Sequence, residues 1–138
     1  MSAFYKTGRE ALINGTVRWV SDSIIAILTN NVLYRFNENN IYLSSIPKAA
    51  RVGEPVQLQN RSRRVGAFSA DNAMFKNVQG ITIGGIVLAA EAEDLEKSLL
   101  LAYIDHVTGL PIKPNGNHIK VEWEPCYIFK IGELYGVA

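Results

Sequence analysis

Asp105-His106, His118, Glu122 and Cys126 are the residues whose types could do chemistry. A zinc site needs three or four converging ligands, so the two histidines would have to recruit Glu122 or Cys126 as a third. The spacing matches no metal-binding pattern, and the residues read as surface or turn positions. Cys126 beside a histidine would make a thiol nucleophile only with a base in contact and an oxyanion-stabilising turn. No signature for either is present, and Pro125-Cys126 reads as a small apolar step at a strand end. Gly80, Gly84 and Gly85 lack the lysine and the strand–loop–helix setting of a phosphate loop, so they are expected to serve sheet geometry. Glu91, Glu93, Asp94 and Glu96 do not have the spacing of a calcium loop. Trp19 and Trp123 are the material from which a carbohydrate-stacking platform would be built. The expectation is a non-enzymatic chain with no cofactor and no metal.

The elements that hold these residues read as strands. Leu99–Ile104 is a buried apolar run, and Ile119, Val121 and Trp123 alternate with His118, Lys120, Glu122 and Glu124, the period-2 pattern of a half-buried antiparallel strand. Thr16–Val20, Ser23–Leu28, Val32–Phe36, Ile41–Ile46, Val56–Gln59, Arg61–Phe68, Ile81–Ala90 and Tyr127–Ile131 are further short runs punctuated by Asn, Gly, Pro and Ser turns. Ile24-Ile25-Ala26-Ile27-Leu28 is apolar on both faces and predicts a central strand. Gly84-Gly85 predicts a bulge or bend within Ile81–Ala90. Lys6–Asn14 predicts a short helix with Thr7 as cap, Glu10 completing a capping box and Gly15 closing it. Glu91–Lys97 predicts an exposed excursion. The fold class is all-β: one domain over 1–138, an antiparallel β-sandwich or small barrel with at most one or two short helical turns.

Composition narrows the partners. The chain has 138 residues, enough for one core without staples, and 48% of them are hydrophobic against 20% charged. So apolar and weakly charged a small domain points to a face covered by another subunit. The net charge of +1 does not supply the basic excess that phosphate-backbone binding needs, so no nucleic acid is expected. Arg61, Arg63 and Arg64 form the one basic cluster and read as a solvated face or a subunit contact. No apolar run is long enough to span a membrane, so no membrane partner is expected. The start has no apolar secretory core, and folding in the cytosol is the expectation.

Several phrases resemble a family of small virion structural proteins of tailed bacteriophages. They are Tyr5-Lys6-Thr7-Gly8-Arg9-Glu10-Ala11, then Leu43-Ser44-Ser45-Ile46-Pro47 with Ala50-Arg51-Val52, and Ala70-Asp71-Asn72-Ala73-Met74-Phe75. The most specific runs from Leu101-Ala102-Tyr103-Ile104-Asp105 through Thr108-Gly109-Leu110-Pro111 to Pro114-Asn115-Gly116, with the Ile119–Trp123 strand and Ile128-Phe129-Lys130-Ile131. The resemblance implies a virion component, assembled in the host bacterial cytoplasm, with no catalytic residues to carry over. Its expected role is a capsid cement or decoration protein that binds the major capsid protein and self-associates. A tail, neck or baseplate component is the alternative, and a small carbohydrate-binding module is the alternative from another class. Uncovered strand edges are one expected means of joining neighbours.

The Gly109–Gly116 loop is the candidate subunit contact, carried by Gly109, Leu110, Pro111, Pro114, Asn115 and Gly116. Two prolines fix their own φ and restrict the residues before them, and Asn115-Gly116 can supply positive φ. Preordering lowers the entropy lost on docking. The competing expectation is a stiff hairpin connection that touches only its own domain.

Overall fold

The structure is a computed structural model that describes residues 3–64, 66–123 and 128–130. Among the described residues, ten strands and one helix follow in the order β1 (Ala3–Phe4), α1 (Lys6–Asn14), β2 (Ile24–Thr29), β3 (Arg51–Gln57), β4 (Ser62–Arg64), β5 (Ala67–Ser69), β6 (Ala73–Phe75), β7 (Gly85–Ala90), β8 (Leu99–Ile104), β9 (Ile119–Val121) and β10 (Phe129–Lys130). Three single 3-10 turns complete the elements, at Leu43–Ser45, Lys48–Ala50 and Leu95–Lys97. The fold is all-β, and every strand pairing among the described residues is antiparallel.

A five-stranded sheet in the order β1-β8-β7-β2-β3 is the centre of the molecule. β2 is buried at all six positions because both faces of the sheet are covered. Ile24, Ala26 and Leu28 share one cluster with Ile86 and Leu88 of β7, Phe68 of the small sheet β10-β5-β4, and Phe75 and Val121 of the pair β6-β9. The small sheets therefore form a second layer, as in a sandwich. Within that layer Phe68 stacks on Phe129 at 4.9 Å, and Trp19 meets both rings edge-on at 5.4 and 5.6 Å. On the opposite face, Ile25, Ile27, Val87, Ala89 and Leu100 are covered by Tyr34, Leu43, Ile46 and Ala50. Strict alternation along β2 and β7 thus sorts their side chains into two cores.

The β8 side of this sheet is covered by short segments of the same chain. β1 pairs with the C-terminal half of β8, Tyr5 N–H donates to Leu101 O, and Ile41–Leu43 bond to Ser98–Leu100. The register of β8 against β7 shifts between Leu88 and Ala89, and α1 rests on that irregularity. There Gly8 lies against Leu100 and Leu101, where any Cβ would collide with the Leu100 carbonyl oxygen. At the other edge, Gly53, Glu54 and Pro55 form a bulge in β3 against Ile27 of β2. A bulge and a proline blunt an edge by removing donors and bending the strand away. Short segments of the same chain have taken the hydrogen bonds on the β8 side, while β3 stands as a bulged, proline-bearing edge strand.

Other expectations are corrected in detail. Thr16–Val20 is a turn rather than a strand, since its backbone follows the helix end and is wrapped by Arg61. Val32–Phe36 has no strand partner among the described residues, and Ile41–Ile46 reduces to one bridge and a 3-10 turn. Pro55 lies inside β3 instead of before it. The helix has the expected bounds, but its N-cap is Tyr5 and no side chain caps it. Tyr5 is held there by β8, so the chain enters the helix too early for Thr7 to act. The Gly84-Gly85 step marks the start of β7: Gly84 abuts the Asn31 side chain and Gly85 lies under the Tyr103 ring. Cys126, Glu124, Tyr127 and Ile131 lie outside the described residues.

Candidate functional site

β2 and β8 end, and β7 begins, at one pole of the central sheet, and the Gly109–Gly116 loop is fastened there. Ile83 and Ile112 exchange both backbone hydrogen bonds at 2.8 and 3.0 Å. Gly116 N–H donates to Val78 O at 2.7 Å, and Val78 N–H to Asn117 O at 3.1 Å. Lys113 Nζ donates to Gly80 O at 3.0 Å. Pro114 is buried, Leu110 and Gly116 are half-buried, and Gly109, Pro111 and Asn115 face solvent. Gly109 and Gly116 both take positive φ, and the Leu110–Pro111 peptide is cis. The loop is not a hairpin. β9 pairs with β6 rather than β8, so residues 105–118 carry the chain from the central sheet to the second layer.

The same pole holds three exposed apolar side chains. Val32 and Leu33 follow β2 and are 72% and 52% exposed, and Ile81, ahead of β7, is 37% exposed. Asn30 sets their position. Its Oδ1 accepts from Val32 N and Leu33 N, each at 2.9 Å, and its Nδ2 donates to Thr82 O at 2.8 Å. One buried amide therefore holds two apolar side chains in water and ties their turn to residues 81–84. A shallow cleft of about 70 Å³ is lined by Leu110 and Ile112 of the loop with Val107, Thr108, Ile119, Lys120 and Val121.

The residues first considered for chemistry are dispersed. Asp105 and His106 begin the long connection, while His118 precedes β9 and its Nδ1 accepts from Asn77 N–H at 3.1 Å. Glu122 pairs with Lys120 on the surface at 3.3 Å. Among the described residues no three His, Cys, Asp or Glu side chains converge on a metal position. Trp19 and Trp123 are 2% and 9% exposed, and their indole N–H groups donate to Ser69 O and Asp71 O. Neither is available as a stacking platform.

The arginine cluster is split by function. Arg61 wraps the turn after the helix, with Nε and both terminal nitrogens donating to the carbonyls of Trp19, Val20, Asp22 and Leu58. Arg63 lies over the Phe68 ring at 4.9 Å. Arg63 and Arg64 are both exposed, whereas Arg61 is half-buried.

A buried tyrosine group went unnoticed in the sequence. Tyr5 and Tyr34 hydroxyls meet at 2.6 Å, and Tyr34 donates on to Asn40 Oδ1 at 2.9 Å. Phe36 packs on Tyr5 and Tyr103. Burial pushes all three phenols up, reinforced at Tyr5 by Tyr34 and at Tyr103 by Asp105. Their spacing follows no motif, so no local signal could have grouped them. The arrangement is structural: it fastens the Asn-rich segment, which Lys6 N–H also holds through Glu38 O at 2.8 Å.

No known protein-family model matches the chain, and comparison with curated proteins finds no match.

Proposed function

We propose that this chain is a non-enzymatic structural subunit of a tailed-phage virion, acting as a cement or decoration protein that binds the assembled capsid shell. The observation that carries the reading is the pole of the central sheet. There a loop preordered by prolines and by bonds to residues 78–83 lies beside Val32, Leu33 and Ile81, which are exposed on a turn built to hold them. Such a surface loses little entropy on docking. The sequence phrases from Leu101 to Gly116 support placing it in a virion. A subunit that binds assembled lattice better than free subunits stabilises the shell by mass action.

Co-sedimentation with shells lacking the protein tests this. Wild type is expected to pellet with the shells, and a Pro111→Ala/Pro114→Ala variant is expected to lose binding well beyond its loss of folding stability. Failure of wild type to pellet with shells, with binding to tail tubes or baseplates instead, would assign the tail role. Unchanged shell binding by the double variant would leave the loop a purely internal connection.

A further inference from the structure

Residues 41–50 lie as a strap across the second face of the central sheet. Leu43, Ile46 and Ala50 are fully buried there, in one cluster with Ile25, Ile27, Val87, Ala89 and Leu100. The strap is tied at its ends, by Leu100 N–H to Ile41 O, Leu43 N–H to Ser98 O and Asn30 N–H to Ala50 O. Between these ties the backbone bonds found are internal to the strap: Ser45 to Tyr42, Ile46 to Leu43 and Ala50 to Pro47.

Arg51 fastens the middle. Its Nε and one terminal nitrogen donate to Ile46 O at 3.1 and 2.7 Å, and that nitrogen also reaches Leu43 O at 2.9 Å. The guanidinium then grips both oxygens of Glu96, at 2.6 and 2.7 Å. The Arg51 side chain is only 12% exposed. Glu96 lies on the separate 3-10 turn Leu95–Lys97, whose Asp94 accepts the Glu96 N–H at 3.1 Å. The charged groups around the carboxylate are Arg51 from β3, Lys48 from the strap, and Asp94 and Lys97 from its own turn.

We propose that the Arg51–Glu96 pair is an acid-released latch: protonation of Glu96 frees residues 43–50 from the sheet while the sheet itself stays folded. Neutral Glu96 no longer balances a mostly buried guanidinium, which keeps its charge among carbonyls with Lys48 nearby. A bidentate pair is also the geometry most weakened by losing one charge. Hydrogen bonds from Arg51 hold the Glu96 carboxyl below its ordinary 4.5, against a smaller opposing effect of desolvation. The latch is therefore fully closed above the ordinary value and opens as pH falls through the lower folded one. Opening uncovers an apolar sheet face, so the acid form is the adhesive one.

Hydrogen exchange read by mass spectrometry on the full chain tests this, with rates corrected for the intrinsic pH dependence. At neutral pH a Glu96→Gln variant is expected to exchange the amides of residues 43–50 about tenfold faster than wild type, while β2, β7 and β8 keep their protection. Wild type is expected to reach the same pattern only on acidification. Strap exchange in Glu96→Gln equal to wild type would overturn the proposal. So would strap and sheet accelerating together, because the pair would then stabilise the whole fold. The wild-type acid series decides by itself should the variant not fold.

Discussion

At the residue scale, single polar side chains do the fastening, and each tests cleanly. Arg61 satisfies three carbonyls of the turn that positions Trp19, and that of Leu58 beside itself. Replacing it by leucine leaves those acceptors without their donor, and a loss of about 2 kcal/mol is expected in urea unfolding. Arg61→Lys is expected to recover less than half of this, since an ammonium cannot reproduce the planar fork. Tyr5 contributes to the alkaline limb of stability, with Tyr34 and Tyr103. Its folded-state ionisation is pushed far above the ordinary 10.0 by burial and by Tyr34. The native state therefore keeps a proton that the unfolded chain releases, and stability falls as pH rises above that value. A Tyr5→Phe variant removes one such proton, so the alkaline decline should be shallower by about 1.4 kcal/mol per pH unit. Unfolding curves at a series of alkaline pH values check it.

At the element scale, the helix closes the sheet by lying directly on a strand. Gly8 permits that approach, and an added Cβ would meet the Leu100 carbonyl and come within 2.7 Å of Leu101 Cα. Backbone cannot move aside as a side-chain tip can. Gly8→Ala is expected to lower stability by about 3 kcal/mol or more, despite the better helix propensity of alanine. Gly15→Ala is the contrast. It meets nothing within 4 Å but must adopt a φ of 81°, so about 1 kcal/mol is expected. Thermal unfolding of the two variants side by side separates collision from backbone strain.

At the scale of the whole molecule, a sheet buried on both faces leaves poles and loops as the exposed surface. The Val32–Leu33 turn is exposed, so replacing both residues by serine is expected to change stability by no more than about 0.5 kcal/mol. Under the proposed function the same variant should bind shells at least about tenfold more weakly, because two apolar side chains lose their burial. Co-sedimentation together with urea unfolding measures both quantities. Loss of folding without selective loss of binding would move the contact surface elsewhere on the molecule.

Local periodicities were legible from the residues alone. β8 has the bounds expected for it, β9 buries Val121 and exposes Lys120 as its alternation requires, and Ile24–Leu28 lies inside the sheet because it is apolar on both sides. These features depend on neighbours along the chain, and local patterns carry them. Gly109 and Gly116 are likewise legible as turn positions. Features that depend on distant partners were set by the packed fold. Thr16–Val20 has the β-branched residues of a strand, yet it becomes a turn because Arg61 claims its carbonyls from far along the sequence. Thr7 has the spacing of a cap, yet β8 sets the helix start at Tyr5. The tyrosine group, the Arg51–Glu96 latch and the meeting of Val32, Ile81 and the Gly109–Gly116 loop at one pole join residues with no common motif. Only the pairing of β2, β7 and β8 brings such segments together, because hydrogen bonds and packing act across space and leave no periodic trace in the chain.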